Sequence, residues 1–140
     1  MIADTGPLVA WLDRADPCHE WATSLERNHS FPWLTCEGCL AEAAYRLRAP
    51  EKVAALVVER AVEVIGFEVE DWRRIYGLAG KYADHAIDLV DFCIVRLSEK
   101  LPRQKVAVVD RRDFEVLRRF QREHRLPAGA RRDRICVSIR

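Results

Sequence analysis

No stretch of this 140-residue chain runs beyond residues 28–36 without an Asp, Glu, Lys or Arg. A helix that crosses a bilayer needs about 20 apolar residues, so the sequence excludes one. An export signal is missing as well: Asp4 interrupts the start, and no charged segment precedes a long apolar run. Glycine and proline number only six each, and no tract rich in them, no internal repeat and no low-complexity segment divides the chain. One domain spanning residues 1–140 is therefore expected. The five cysteines are an odd number in a chain without an export signal, which points to reduced thiols and a cytoplasmic location, away from any membrane. Zinc-ligand spacing is absent too. Cys36 and Cys39 form the one CxxC, with no second pair and no suitably spaced histidines. A redox role would want that motif at a strand-to-helix turn. Helical spacing instead puts it inside a helix running from Thr35 to Arg48, as plain reduced thiols.

What is present describes a globular protein: 49% hydrophobic and 32% charged residues exclude a disordered tail or a fibrous repeat. The net charge of +1 hides an asymmetry. Residues 110–140 hold ten Arg against five acids, a local +5 that leaves −4 for residues 1–109. An arginine-loaded end suits a polyanion such as nucleic acid, and equally a solvated helix face.

Short apolar runs alternate with helical patterns. Met1 to Ala3 reads as a strand ending at Asp4, and Pro7 opens a helix. Helices are expected from Asp16-Pro17 through Leu25, from Thr35 to Arg48 and from Pro50 to about Arg60. Strand-like Val62 to Phe67 follows, then helices over 71–83 and 88–101. The last of these is apolar from Leu89 to Leu97 apart from Asp91, as a fully buried helix would be. Val106 to Val109 reads as a buried strand ending at Asp110, and Ile135 to Ile139 as a final strand. This alternation means an α/β domain with a mainly parallel sheet.

Four acids stand in apolar company. Asp4 and Asp110 each follow an apolar strand, the place where sites form in open α/β sheets. Glu42 and Asp91 sit inside apolar helix segments, where an unpaired ionised carboxylate costs several kcal/mol or so. Taken singly, each is explained by a helix cap or an ion pair. Taken together, with no His or Lys among them, they point to a divalent cation that relieves their repulsion. All-oxygen ligation selects Mg2+ or Mn2+ over zinc. Such a cation activates water and clamps a phosphodiester, which is nuclease chemistry.

Four motifs then match a known family: Ala3-Asp4-Thr5-Gly6-Pro7-Leu8-Val9-Ala10, Thr35-Cys36-Glu37-Gly38-Cys39-Leu40-Ala41-Glu42-Ala43, Asp88-Leu89-Val90-Asp91 and Val109-Asp110-Arg111-Arg112-Asp113-Phe114. In order and spacing, the chain resembles PIN-domain ribonucleases, in particular the VapC-like toxins of type II toxin–antitoxin pairs. The resemblance implies a central, mainly parallel β-sheet sandwiched by α-helices and an acidic Mg2+ or Mn2+ site. Carried over by motif, its acids are Asp4, Glu42, Asp91 and Asp110, with Asp113 as a supporting or alternative ligand and Thr5 beside Asp4. Arg111 and Arg112 stand where they would hold RNA phosphates. The implied activity is an endoribonuclease cutting RNA such as tRNA or rRNA. It would act as a homodimer silenced by a cognate antitoxin protein.

One departure matters. The family commonly carries Thr two residues before its fourth acid, and here that residue is Val108. It keeps open an alternative, a catalytically weak or inactive PIN module that binds RNA or a protein partner. A phosphoacceptor receiver domain, also α/β, would want a strand-end Asp near mid-chain, but residues 49–65 offer only Glu51, Glu59 and Glu63.

Overall fold

A computed structural model describes residues 1–109 together with the backbone of 137–139. Five short strands form one sheet: β1 (Ile2–Ala3), β2 (Trp33–Thr35), β3 (Val62–Val64), β4 (Val106–Val108) and β5 (Val137–Ile139). Their order is β3-β2-β1-β4-β5, with the first four parallel and β5 antiparallel to β4. The register aligns Ile2 with Leu34 on one side and with Val106 on the other. The strands read as apolar runs because they are buried: Ile2, Ala3, Trp33, Ala107 and Val108 have no exposed surface.

Six helices accompany the sheet: α1 (Thr5–Leu12), α2 (His19–Asn28), α3 (Glu37–Leu47), α4 (Pro50–Val58), α5 (Val69–Lys81) and α6 (Leu89–Lys100). None is long and apolar enough to cross a membrane, among the described residues. The core gathers Leu8 of α1, Ile75 of α5 and Ile94 and Leu97 of α6 around β1 and β4. Each such side chain contributes about 1.5–3 kcal/mol on burial. Trp33 lies at the centre of a ring cluster, 4.9 Å from Trp11 and 5.3 Å from Phe31 between centroids. The expected α/β class with a mainly parallel sheet is what the chain adopts.

Three local expectations are corrected. Helix α1 starts at Thr5 rather than Pro7, leaving Pro7 in the first turn, where its absent N–H still costs nothing. Residues 35 and 36 are not helical. Thr35 closes β2, pairing with Val64, while its hydroxyl donates 2.7 Å to the carbonyl of Ala3. Cys36 becomes the N-cap of α3. Non-local strand pairing has overridden helical spacing. Finally, α6 is buried on one face only: Phe92, Cys93, Ile94 and Leu97 are inside, whereas Leu89 is 54% exposed.

The chain steps from β1 outward through β2 to β3, then returns to place β4 on the other side of β1. The carboxyl ends of β1 and β4, which run parallel, therefore flank the point where the strand order reverses, where open α/β sheets form their crevices.

Candidate active site

A cavity of about 210 Å3 opens at that reversal. Asp4 enters it from the end of β1. Its position at the head of α1 invites a capping role, yet the carboxylate makes no side-chain capping hydrogen bond. Thr5 and Gly6 follow in the first turn of the same helix and line the cavity. Val109, just past β4, lines the opposite side. A Cβ on Gly6 would stand 2.7 Å from Val109 Cβ, so only glycine permits this approach between α1 and the end of β4.

Glu42 reaches the cavity from the second turn of α3. It accepts a 2.8 Å hydrogen bond from the Thr5 hydroxyl and faces Arg46, one turn on, at 3.7 Å. Asp88 and Asp91 enter together from the start of α6. They form a reciprocal capping box. Asp88 accepts from the backbone N–H groups of Val90 and Asp91 at 2.8 and 3.1 Å, and Asp91 accepts from that of Asp88 at 3.3 Å. Asp16, from the turn before α2, completes the acidic wall.

Electrostatics follow from this convergence. Burial pushes the Asp4 carboxyl up to about 7; the backbone N–H of Thr5 opposes the shift, and the charges of Glu42 and Asp88 add to it. Behind Asp4, away from the opening, lies a cluster of thiols. Cys39 Sγ is 3.8 Å from Asp4 Oδ1 and 3.6 Å from Cys36 Sγ. Hydrogen bonds from Cys39 and Cys93 hold the Cys36 thiol well below its usual range, and the same contacts push Cys39 and Cys93 up.

Of the residues expected from sequence, Asp4, Thr5, Glu42 and Asp91 thus line one cavity, from three segments far apart in the chain. Asp110, Asp113, Arg111 and Arg112 lie outside the described residues, as does most of the arginine-rich end. Val108 is fully buried in β4. Sequence reasoning missed Asp88, Asp16 and Arg46 as lining groups. Asp88 carried a signal, because Asp-x-x-Asp before an apolar run is a helix start, and a helix start at the sheet's carboxyl edge faces the crevice. Arg46 carried none beyond its i+4 spacing from Glu42.

The all-oxygen donor set suits a hard divalent cation, which would offset the burial that chiefly raises Asp4 and the charges of Glu42 and Asp88 that add to it. As placed, no three His, Cys, Asp or Glu among the described residues are grouped closely enough to ligate one ion. Mg2+ sites of the kind that use one or two carboxylates and complete the sphere with water and phosphate oxygens need no tighter cluster.

No protein-family model and no curated protein matches the chain in sequence. Among solved structures, Mycobacterium tuberculosis VapC20, a sarcin-ricin loop cleaving toxin, superposes with a TM-score of 0.73 over 83% of this chain and 93% of that one. The two are 20% identical, so the likeness is one of architecture: this chain has the PIN-like fold of that VapC toxin.

Proposed function

We propose that the protein is a Mg2+- or Mn2+-dependent endoribonuclease and the toxin of a toxin–antitoxin pair. The observation that carries the reading is the meeting of Asp4, Glu42, Asp88 and Asp91 in one cavity, at the strand switch of a fold shared with an RNA-loop-cleaving toxin. Asp4 and Asp91 would hold the cation, with Glu42 beside them and Asp110 joining from beyond β4. Bound there, the cation would lower the pKa of an attacking water and neutralise the phosphodiester. Thr5 orients Glu42 through its hydroxyl. The amino ends of α1 and α6 both border the cavity, and the positive ends of their helix dipoles favour an incoming phosphate. Arg111 and Arg112 would grip flanking phosphates. An antitoxin partner, a homodimer, a tRNA or rRNA target and a cytoplasmic setting belong to the same proposal.

The test uses Asp91→Asn. Its amide oxygen can still accept from the Asp88 N–H, so α6 keeps its capping box and the domain its fold. With Mn2+ supplied, the parent protein should cut RNA to leave 5′-phosphate ends, and the folded variant should not. Parental-rate cleavage by the variant, or cyclic-phosphate ends, overturns the reading. Mn2+ binding by the parent without any cleavage would favour the non-catalytic PIN module that Val108 keeps open.

A further inference from the structure

The CxxC motif sits where a redox pair requires it, at the turn between β2 and α3. Cys36 is the N-cap of α3, and Cys39 follows one helical turn later, its backbone N–H bonded to the Cys36 carbonyl at 3.1 Å. The two sulfurs stand 3.6 Å apart. A disulfide holds them at about 2 Å, so closure asks for roughly 1.5 Å of movement within one turn. Both thiols are buried, Cys36 at 2% exposure and Cys39 at 0%, but only one carboxylate separates them from the cavity. Cys39 Sγ lies 3.8 Å from Asp4 Oδ1, and Asp4 lines the opening. At Gly38 no side chain intervenes: a Cβ there would meet Cys36 Sγ at 3.8 Å and the cavity-lining Val90 at 3.2 Å.

We propose that Cys36 and Cys39 are an oxidation site, closed to a disulfide by a hydroperoxide, and that closure weakens the adjoining acidic site. The Cys36 sulfur attacks one peroxide oxygen and the O–O bond breaks. The departing hydroxide takes up the thiol proton and leaves as water, and Cys36 becomes a sulfenic acid. The Cys39 sulfur then attacks Cys36 Sγ. The S–O bond breaks, the S–S bond forms, and hydroxide leaves with the Cys39 proton as a second water. Two electrons pass from the thiols to one peroxide. The disulfide has no S–H to present to Asp4, and its sulfur is drawn towards Cys36. The carboxylate thereby loses a neighbour that positions it. The disulfide itself is independent of the proposed nuclease function; its effect on metal binding rests on that reading.

The experiment uses the full chain, reduced and then exposed to hydrogen peroxide. Trypsin releases residues 28–46 as one peptide carrying Cys36 and Cys39 and no other cysteine. That peptide should lose two hydrogens and resist alkylation, and a thiol reductant should reverse both changes. Titration calorimetry should then show Mn2+ binding roughly tenfold weaker in the oxidised protein. Cys36→Ser, which retains a good N-cap, should bind Mn2+ equally before and after peroxide. Two free thiols after treatment, or a bond from Cys36 to Cys93, overturns the pairing. A disulfide without change in Mn2+ affinity overturns the coupling, as does a peroxide effect that survives in Cys36→Ser. Reduced protein that binds no Mn2+ at all, yet forms the disulfide, refutes the metal reading and leaves the oxidation site standing.

Discussion

The Thr5 hydroxyl donates a 2.8 Å hydrogen bond to Glu42 Oε2, joining the first turn of α1 to α3 across 37 residues of chain. Thr5 is 2% exposed, so the bond lies at the floor of the cavity, while Glu42 turns its other oxygen towards Arg46. Thr5→Val keeps the shape and removes the donor. Because Glu42 remains partly open to water, stability should change by no more than about 1 kcal/mol. RNA cleavage should fall roughly tenfold, the usual scale for losing a partner that orients a ligand. Thermal melting and a Mn2+-supplemented cleavage assay separate the two effects. An unchanged rate would show that Glu42 needs no orienting.

Asp4 gives the site a pH signature. Its carboxyl is raised from 3.8 to about 7 in the folded chain, so the folded state holds this proton more tightly than the unfolded state does. Its contribution to stability is therefore greatest below about pH 4 and is lost as pH rises towards 7. Asp4→Asn should abolish that part of the pH dependence. In chelator the variant should melt at or above the parent at about pH 8, with the difference shrinking in acid. Added Mn2+ should stabilise only the parent, by about 2.7 kcal/mol at a hundredfold excess over Kd, and less so in acid, where protons compete for the ligand. Equal stabilisation of both proteins by Mn2+ would remove Asp4 from the metal site.

The α5–α6 contact carries a second buried acid. Asp71 is 3% exposed and accepts from Lys100 Nζ at 2.6 Å, from Arg96 at 2.9 Å and from the Glu68 backbone N–H at 3.0 Å. The Lys100 hydrogen bond is the main cause that holds its carboxyl down at about 2, helped by the Glu68 N–H and Arg96. A depressed pKa stabilises the fold above the ordinary carboxylate range, and that stabilisation drains away as pH falls from about 4 to about 2. Asp71→Asn should lower the melting temperature at neutral pH and leave a flatter acid profile. Melting curves for both proteins should converge towards pH 2; a constant gap would mean that the loss is one of packing rather than charge.

Much of this arrangement was legible in residue order. Asp4 closes an apolar strand and Asp91 interrupts an apolar helix, and both observations survive in the cavity because strand ends and helix starts meet at one edge of a parallel sheet. What the chain order concealed was decided by distant partners. Asp71 sits among charged residues in a helix's first turn and looks solvated; its burial depends on Arg96 and Lys100, 25 and 29 residues away. Cys36 and Cys39 share helical spacing with Leu40 and Ala43, and only the three-residue pairing of β2 with β3 ends the strand at Thr35 and turns the motif into a helix start. Arg46 stands on what reads as a solvent face of α3, and the cavity reaches it only because α6 packs against that helix.

The narrowest point of the architecture lies between α1 and the end of β4. Gly6 has no room for a side chain: an added methyl would meet Val109 Cβ at 2.7 Å, Val109 Cγ2 at 2.9 Å and the Val109 backbone nitrogen at 3.3 Å. The last of these is main chain, so a rotamer change at Val109 cannot relieve the contact fully. Gly6→Ala must push α1 away from β4, at about 1–3 kcal/mol for overpacking. Ala is the better helix former by roughly 1 kcal/mol, which offsets part of the cost, so a folded protein with a modestly lower melting point is expected. The displacement bears directly on Asp4 and Thr5, which ride on the same turn. Mn2+ affinity should therefore fall further than stability alone implies. Pairing Gly6→Ala with Val109→Gly removes both contacts to the valine side chain and should recover Mn2+ binding, whereas Val109→Ala, which keeps the Cβ at 2.7 Å, should recover little. If the single variant binds Mn2+ as the parent does, the approach of α1 to β4 does not set the geometry of the cavity.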